Sequence, residues 1–513
     1  MTTPSQPLHG SSAPGLPGHA VAAARDAHVF GLDVYQLTTL IAHAAEGRLH
    51  SSQPLWMSFF FRRLPRNRRF VLPVGLRSIV DHCQSLRLSH EELATLDQHP
   101  ILGPALQTGP GRAVREALAA LDGFVGDIDA LPEGTPAFAG PALDRARQPV
   151  VIAGIPLFAY TPLVQVSTSM ALAKLIEKPW LSRLNHMSMV ASKAARVVLS
   201  ASADGIDRPV IEFGQRRTHP AAAVDAAYAA YLAGCRATSN LLATHRYGVP
   251  SVGTMDHFAV QAAERLGVPV HESELAFFQR FYEIFPQAST LLVDTYDTWR
   301  GIRGAVRASG GRCLGVRLDS DVTPANVKKA RELLQSLGAP NVSIFVSDGL
   351  DEYRVRDLAE AGADGFGVGE NITCSPDAAT GIGAVGKLVE NSHGKRTMKV
   401  ARGSGKATLP GRLQVHRYAD HDYLCGADEA APPGGRPLLQ PLWRGRSLVA
   451  ALPSVAESRQ DVRAQLLALP DPFRAVVREG QGGDSAPPPT WPIVLSDALL
   501  ADVRQLIHAA AQE

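Results

Sequence analysis

Six short apolar runs in the middle of the chain share one pattern, in which a predicted strand ends in small or acidic residues. Stretches rich in Ala, Leu and Arg, each long enough for one helix, separate these runs. Strands that alternate with helices in this way indicate a parallel β/α barrel. In such barrels, the loops after the C-terminal ends of the strands form the active site. The six runs are residues 209–214, 249–254, 290–296, 313–320, 342–349 and 365–369.

The composition excludes several classes of protein. The chain has 513 residues, which is enough for two or three domains with buried cores. Its net charge of +2 gives no overall field that would attract nucleic acid or an anionic membrane. The five cysteines form no CxxC pair, which argues against a disulfide framework or a zinc ribbon. We therefore expect a cytoplasmic protein with no nucleic-acid partner and no membrane span.

Changes in composition along the chain divide it into four parts. A Pro-, Ser- and Gly-rich start predicts a disordered leader over residues 1–27. Mixed helix and strand signals predict an N-terminal α+β domain over residues 28–150. The strand–helix repeats place the barrel at residues 151–392. We expect residues 393–513 to pack against the N-terminal domain as a C-terminal segment.

Two glycine-bearing loops follow the last two predicted strands. One is Ser347-Asp348-Gly349, and the other contains Gly367 and Gly369. Loops at these places in a parallel barrel commonly bind phosphate, because glycine lets backbone N–H groups approach the oxygens closely. The alternative is that the glycines only form tight turns. Two consecutive loops of this kind favour phosphate binding.

Charged side chains follow the neighbouring strands. Arg317 and Asp319 are two residues apart, so they lie on the same face of their strand. The pair is either a buried ion pair or a fork for a substrate carboxylate beside an anchor for ribose or a metal. Asp294 follows the adjacent strand. Carboxylates from two strands suit Mg²⁺, which takes its other ligands from phosphate and water, so Asp294 and Asp319 are our candidate metal ligands.

Three further positions carry candidate chemistry. His257 follows Thr254 just beyond a predicted strand, which favours a catalytic histidine over a structural one. Glu212 ends the first strand, and Arg216 or its neighbour either clamps an anion or begins a solvated helix. The basic segment at residues 62–69 has no interleaved aromatic residues, so we interpret it as a local anion-binding or interface segment and not as a nucleic-acid site.

Taken together, these segments resemble the nicotinate phosphoribosyltransferase family of type II phosphoribosyltransferases. The resemblance runs in order from residue 32 to residue 390. The matching segments are LDVYQ at 32–36, FFRRLP at 60–65, LPEG at 131–134, KAAR at 193–196, EFGQRR at 212–217, ATSN at 237–240, GTMDH at 253–257, LVDTYDT at 292–298, RLDS at 317–320, SDGLDE at 347–352, FGVG at 366–369 and GKLVE at 386–390.

The resemblance implies a reaction and its participants. Members of this family join nicotinate to phosphoribosyl pyrophosphate in NAD biosynthesis (salvage), giving nicotinate mononucleotide and pyrophosphate. They use Mg²⁺, and they couple ATP hydrolysis to the reaction through a phosphohistidine, which here would be His257. The resemblance also implies a homodimer with shared active sites, to which the partner subunit would contribute Tyr35 and Arg62.

The resemblance also assigns roles to residues of the barrel. Thr254 and Arg317 would hold nicotinate, and Asp319 would hold ribose. The 5′-phosphate would lie on the two glycine-bearing loops. We assign catalysis to His257 and Asp319. The residues that we assign to substrate binding are Tyr35, Arg62, Glu212, Arg216, Thr254, Arg317, Ser347, Asp348, Gly349, Gly367, Gly369 and Glu370.

Three positions depart from the family pattern, and two alternatives follow from them. Asp321 and Val322 replace the usual Gly-Asp, Asp256 replaces an Ala, and Glu370 replaces a Thr. One alternative is a phosphoribosyltransferase for another pyridine acceptor, such as nicotinamide. The other is a degenerate barrel that binds ligands without catalysis.

Overall fold

A parallel six-stranded sheet forms the centre of the structure, which is a computed structural model. It describes residues 31–49, 54–65, 67–377, 381–400, 406–476 and 489–512, so the predicted leader at 1–27 lies outside the described residues. In spatial order, the strands are Thr290–Leu292, Gly315–Leu318, Ser343–Val346, Gly365–Val368, Val210–Glu212 and Ala237–Thr238. The order departs from chain order only where Gly365–Val368 pairs with Val210–Glu212, which curls the sheet into part of a barrel.

Five of the six predicted strand segments contain a strand of this sheet, and the prediction for residues 249–254 is wrong. Only Ser251 of that segment bridges to the sheet, through Thr238. Pro250 has no N–H to donate, and after Gly253 the chain leaves the sheet for the next helix. The sixth strand is Ala237–Thr238, which pairs in parallel with Val210–Glu212.

Helices connect the strands, and polar residues cap several of them near the C-terminal edge of the sheet. Asp297, Thr323 and Asp351 each accept a hydrogen bond from a backbone N–H in the first turn of the following helix. These caps fix where each loop ends. The helices of this part are Met170–Ala201, Pro220–Leu232, Leu241–Tyr247, His257–Ala262, Val270–Ile284, Thr298–Ser309, Pro324–Ser336, Glu352–Glu360 and Glu370–Thr373, with a 3₁₀ turn at Pro286–Ala288.

Two further six-stranded sheets combine the N-terminal and C-terminal parts of the chain. One contains Leu55–Phe61, Gly126–Ala130, Val164–Thr168, Ala384–Glu390, Gln440–Arg444 and Ser447–Leu448. The other contains Ala139–Leu143, Phe158–Tyr160, Leu413–Arg417, Asp422–Gly426, Arg436–Pro437 and Ile493–Leu495, and a small hairpin joins Val151–Ile152 to Ile155–Pro156. The domain boundaries at 150 and 392 stay predictions.

The remaining helices cover these sheets, and the long helix Met170–Ala201 joins them to the barrel. Most of its residues are buried, and its Ser188 and Ser192 hydroxyls accept hydrogen bonds from the N–H groups of Val74 and Leu72. It therefore forms the shared core of both parts. The other helices are Val34–Ala45, Leu76–Ser85, His90–Gln98, Leu102–Leu106, Gly109–Ala119, Val455–Ala468, Asp471–Arg474 and Asp497–Gln512. Among the described residues, none of the helices is both long enough and apolar enough to span a membrane.

Candidate active site

Arg317 joins three loops at the C-terminal edge of the parallel sheet, which we call the barrel mouth. Its Nε donates a hydrogen bond to Ser347 Oγ at 3.1 Å. Its Nη1 donates to Thr254 Oγ1 at 3.2 Å and to the carbonyl oxygen of Met255 at 3.1 Å. The sequence placed Thr254, Arg317 and Ser347 on separate loops, and the structure brings them together around one guanidinium group.

Asp319 connects the same loops through its carboxylate. Its Oδ1 accepts a hydrogen bond from the Ser347 hydroxyl, and its Oδ2 lies 3.4 Å from Arg317 Nη2. The backbone N–H of Asp319 donates to Asp294 Oδ2 at 2.7 Å. Arg317 and Asp319 therefore form an ion pair, and this pair lies within the barrel mouth and not in the apolar core.

His257 lies beside both carboxylates. Its Nε2 is 3.5 Å from Asp319 Oδ2 and 4.0 Å from Asp294 Oδ1, and its Nδ1 is 3.1 Å from Thr295 Oγ1. The histidine begins the helix His257–Ala262, and Asp256 caps that helix by accepting a hydrogen bond from the N–H of Ala259 at 2.8 Å. The departure from Ala at position 256 thus supplies a helix cap.

The first glycine-bearing loop has an unusual backbone. Asp348 has a φ of 103° and Gly349 a φ of 55°, in the region that glycine favours. The Asp348 carbonyl accepts a hydrogen bond from Arg354 Nη1 at 2.7 Å, and the Gly349 carbonyl accepts one from Asn371 Nδ2 at 3.2 Å. These contacts direct carbonyl oxygens of the loop toward the following helices.

The second glycine-bearing loop lies against Phe213. A Cβ atom added to Gly367 would lie 2.4 Å from the Phe213 ring, and one added to Gly369 would lie 3.1 Å from the carbonyl oxygen of Phe213. The guanidinium carbon of Arg317 lies 5.8 Å from the centre of the same ring. Gly367 is therefore required for close packing, whatever its role in phosphate binding. Phe213 is a site residue that sequence reasoning missed, because an aromatic residue after a strand resembles a core residue.

Glu212 organises the ends of the neighbouring strands. It is buried, and it accepts hydrogen bonds from the hydroxyls of Thr238 at 2.6 Å and Thr373 at 3.0 Å and from the N–H of Gly214. Burial raises the pKa of its carboxyl group above the ordinary value. Both carboxylate oxygens already accept hydrogen bonds within the chain. Glu212 therefore holds the neighbouring strand ends in place and has no free oxygen for a substrate.

Arg216 and Glu370 lie at the exposed rim of the mouth. Arg216 is exposed. Glu370 lies 3.5 Å from Arg217, measured from Oε2 to Nη1, with both side chains about half exposed. The carboxylate at the position of the usual Thr is therefore paired with a neighbouring cation.

Tyr35 and Arg62 belong to the N-terminal part of the chain. Tyr35 is exposed near the start of its helix, and Lys178 Nζ lies 5.2 Å from the centre of its ring. The guanidinium carbon of Arg62 lies 5.9 Å from the Phe60 ring. These contacts place Tyr35 against the long helix Met170–Ala201 and Arg62 at the end of the strand Leu55–Phe61, and neither residue contacts the mouth residues named above.

Glu274 is a second residue that sequence reasoning missed. It projects from the helix Val270–Ile284, it is only 3% exposed, and its Oε1 has no hydrogen-bond partner among the described residues. Burial, together with the charges of Asp294 and Asp297, raises the pKa of its carboxyl group to about 7. No local pattern in the sequence marks this glutamate, because tertiary packing alone buries it.

Comparisons with known proteins agree with this geometry. A model of the Nicotinate phosphoribosyltransferase (NAPRTase) family matches residues 209–424. The chain is 34% identical over 496 residues to "Nicotinate phosphoribosyltransferase pncB2" of Mycobacterium tuberculosis, covering 94% of each chain. The chain belongs to the nicotinate phosphoribosyltransferase family.

Solved structures of related proteins have the same fold as this family member. The crystal structure of human Nicotinic Acid Phosphoribosyltransferase matches with a TM-score of 0.72 and 28% identity, covering 92% of this chain and 99% of that one. A nicotinate-nucleotide pyrophosphorylase from Pyrococcus furiosus matches in fold, with a TM-score of 0.65 and 22% identity over 90% of this chain and 100% of that one. The type II phosphoribosyltransferase fold expected from the sequence is confirmed.

Proposed function

We propose that this chain transfers the phosphoribosyl group of phosphoribosyl pyrophosphate to nicotinate, forming nicotinate mononucleotide and pyrophosphate for NAD salvage, with ATP hydrolysis. The observation that carries the proposal is the convergence of Thr254, Ser347 and Asp319 on Arg317 at the barrel mouth. Displacement at C1′ of ribose requires that two anionic groups be held and that a weak ring nitrogen be aimed at the sugar. A guanidinium group and carboxylates from several strands supply such contacts.

The acceptor site would distinguish a carboxylate from an amide through Arg317. A guanidinium group offers several N–H donors in one plane, which matches a carboxylate. Thr254 lies on the Nη1 side of the group, and the Phe213 ring lies near it. Nicotinate presents a carboxylate on an aromatic ring. We expect this carboxylate to replace some of the hydrogen-bond partners that Arg317 has within the chain.

The donor site would use Asp319 and the loop Ser347-Asp348-Gly349. Asp319 is less than a quarter exposed and is already oriented by Ser347 and Arg317, so it is pre-organised to accept ribose hydroxyls. Glycine at 349 lets the chain turn closely around a phosphate. The fixed position of these groups reduces the entropy lost when the substrate binds.

The carboxylates of the mouth fit Mg²⁺ bound mainly through substrate. Among the described residues, no group of three or more His, Cys, Asp or Glu side chains is arranged to hold a metal ion by itself. Within the described part of the chain, Asp294 Oδ1 is buried and has no hydrogen-bond partner, whereas its Oδ2 accepts a hydrogen bond from the Asp319 N–H. One or two protein carboxylates are what Mg²⁺ commonly takes when phosphates and water complete its shell. When bound, the ion would stabilise the negative charge of departing pyrophosphate.

His257 would couple ATP hydrolysis to synthesis by accepting the γ-phosphoryl group with release of ADP, and water would later cleave the phosphorus–nitrogen bond to release phosphate. Thr295 engages Nδ1, which leaves Nε2 as the nitrogen that faces Asp294 and Asp319. A phosphoryl group on this ring would bring negative charge to the carboxylates that flank the ribose site. Phosphorylation would thereby change the electrostatic field at the substrates.

Two surfaces support a homodimer with shared active sites. The mouth carries exposed apolar residues, among them Phe258 beside His257 and Leu241 at the end of another strand. Exposed apolar side chains clustered around one site are typical of protein interfaces. Lys178 lies beside the Tyr35 ring, and burial together with the nearby charges of Arg62 and Lys178 lowers the pKa of Lys387, so these cations form one basic surface. We infer that this basic surface covers the mouth of the partner subunit, where it would add a ring and positive charge to the site.

We also propose that the protein acts in the cytoplasm. Among the described residues, all five cysteines are free thiols, and four of them are buried. Unpaired thiols are usual in a reducing compartment.

A pyrophosphate-release assay tests the proposed function. The purified protein would be given phosphoribosyl pyrophosphate and Mg²⁺ with a panel of pyridine carboxylates and amides, with and without ATP. We expect release with nicotinate and stimulation by ATP. Release with nicotinamide in place of nicotinate would establish the first alternative. Substrate binding without release for any acceptor would establish the degenerate barrel.

A further inference from the structure

A cavity of about 520 Å³ lies at the end of the parallel sheet opposite to the barrel mouth. Arg208 and Pro209 line it immediately before the strand Val210–Glu212, and Arg236 lines it immediately before Ala237–Thr238. The cavity therefore faces the N-terminal ends of the strands, whereas the substrates would bind at the C-terminal ends. The helix Val455–Ala468, from the C-terminal part of the chain, contributes to its wall.

Arginine dominates the charged lining of this cavity. Two aspartates of the lining, Asp207 and Asp471, and two acidic residues outside it, Asp204 and Glu360, pair with these arginines, which leaves two positive charges in excess. The six arginines are Arg208, Arg236, Arg356, Arg459, Arg463 and Arg474.

Several of these cations are incompletely neutralised. Arg236 and Arg463 share Asp207, with N···O distances of 3.1 and 3.4 Å. Arg474 pairs with Asp471 through Nη2, while its buried Nε has no hydrogen-bond partner among the described residues. Burial lowers the pKa of Arg459, and the charges of Arg236 and Arg463 lower it further. Like charges this close repel one another, and an anion between them would relieve that repulsion.

The geometry points to a binding site for a phosphorylated small molecule. We propose that the cavity, which we call the arginine cavity, binds the phosphate groups of such a ligand through Arg236, Arg463 and Arg474. The volume falls within the range of small-molecule sites. Apolar side chains such as Leu199 and Leu466 also line the cavity, and an uncharged portion of the ligand would lie against them. Guanidinium groups bind phosphate oxygens through paired hydrogen bonds, and a phosphate group has enough oxygens to pair with more than one of these arginines at once.

Arg236 and Arg463 are the residues to change, because about half of each side chain is exposed and neither holds the core together. Arg208 is unsuitable, since it is buried and donates to the carbonyl oxygens of Ala201, Ala359 and Ala363. The test variant is therefore Arg236→Ser/Arg463→Ser. A matched control is Arg280→Ser, which removes an exposed arginine paired with Glu283 on another surface.

Isothermal titration calorimetry of the full chain with ATP, inorganic pyrophosphate and adenosine tests the proposal. We expect the wild type and Arg280→Ser to bind one more equivalent of ATP or pyrophosphate per chain than the double variant, or to bind that equivalent at least tenfold more tightly. Tighter binding of ATP than of pyrophosphate would identify a nucleotide as the ligand, and equal binding would identify the diphosphate group alone. Equal stoichiometry and affinity in all three proteins would overturn the proposal, as would adenosine binding as tightly as ATP.

A second measurement on the wild type does not depend on the variant folding. Phenylglyoxal modifies accessible arginines, and mass spectrometry of peptides locates each modification. We expect pyrophosphate to protect Arg236 and Arg463 and to leave Arg280 unprotected. Equal modification of Arg236 and Arg463 with and without pyrophosphate would contradict the proposal. Neither measurement uses turnover, so their outcome is independent of the proposed function.

Discussion

His257 Nε2 lies 3.5 Å from Asp319 Oδ2, so the proposed phosphoryl acceptor and the proposed ribose anchor are direct neighbours. A phosphoryl group on the ring would add negative charge beside a carboxylate that Arg317 and Ser347 already hold in place. The two states of His257 would therefore differ in their electrostatic effect on the bound sugar. This proximity would give the proposed coupling of ATP hydrolysis to synthesis a physical basis.

We expect His257→Ala to abolish stimulation by ATP and to leave slow, ATP-independent synthesis. The reason is that the substrate contacts through Arg317 and Thr254 do not pass through the histidine. The measurement is the initial rate of pyrophosphate release with and without ATP, with His90→Ala as a control at an exposed position of the N-terminal part. Equal stimulation by ATP in His257→Ala and the wild type would rule out the phosphohistidine.

Arg317→Lys should raise the KM for nicotinate far more than the KM for phosphoribosyl pyrophosphate. Lysine keeps the charge but loses the planar fork, and a charge-assisted pair contributes about 1.5–3 kcal/mol. That range corresponds to roughly a 10- to 150-fold change in affinity. Steady-state kinetics with each substrate varied in turn checks this, with Arg280→Lys as the control. A rise confined to the KM for phosphoribosyl pyrophosphate would instead make Arg317 a ligand of phosphate or ribose.

Asp321 has a φ of 48°, in the left-handed region where the family usually has glycine. Asn326 Nδ2 donates to its carbonyl oxygen at 2.8 Å and to its carboxylate at 3.0 Å, which supports this conformation. We expect Asp321→Ala to lower the free energy of unfolding by about 1–2 kcal/mol, and Asp321→Gly to lower it by much less. Urea unfolding of the two variants checks this. Equal losses would mean that the side-chain contacts matter and the backbone strain does not.

Glu274 should make stability depend on pH. Its pKa is raised to about 7 in the folded protein, so between pH 4.5 and 7 the folded state binds more protons than the unfolded state. The free energy of unfolding should therefore fall as the pH rises through this window. The wild type should therefore lose up to about 3 kcal/mol of its free energy of unfolding between pH 5 and pH 8. Glutamine does not titrate, so Glu274→Gln should not show this loss.

Unfolding in urea at the two pH values, without Mg²⁺ or substrates, measures the free energy of unfolding of both proteins. Glu272→Gln is the matched control, because it changes an exposed glutamate in the first turn of the same helix. If the difference in free energy of unfolding between Glu274→Gln and the wild type is the same at pH 5 and pH 8, Glu274 does not titrate in this window.

The sequence predicted the barrel well because its strands are distinctive. Runs such as the one that contains Ser343–Val346 are apolar and β-branched, and each ends in a polar loop. The strand Ala237–Thr238 was missed because it is only two residues long and lies in an alanine-rich region. Its position depends on long-range contacts, notably the hydrogen bond from the Thr238 hydroxyl to Glu212.

The site was predictable where the loops of a parallel sheet must meet. This rule predicts from the sequence alone that Thr254, Arg317 and Ser347 lie close together. It could not find Glu274, which reaches the mouth from a helix. It also could not bring Tyr35 or Arg62 to the site, because Tyr35 lies on the helix Val34–Ala45 and Arg62 follows the strand Leu55–Phe61.

The most direct test of the central proposal is to identify the product when two acceptors compete. The protein would be incubated with phosphoribosyl pyrophosphate, Mg²⁺, ATP and equal concentrations of nicotinate and nicotinamide, and mass spectrometry would quantify both mononucleotides. We predict that nicotinate mononucleotide forms in large excess, because Arg317 meets a carboxylate better than an amide. Predominant formation of nicotinamide mononucleotide, or formation of neither mononucleotide, would contradict the proposal.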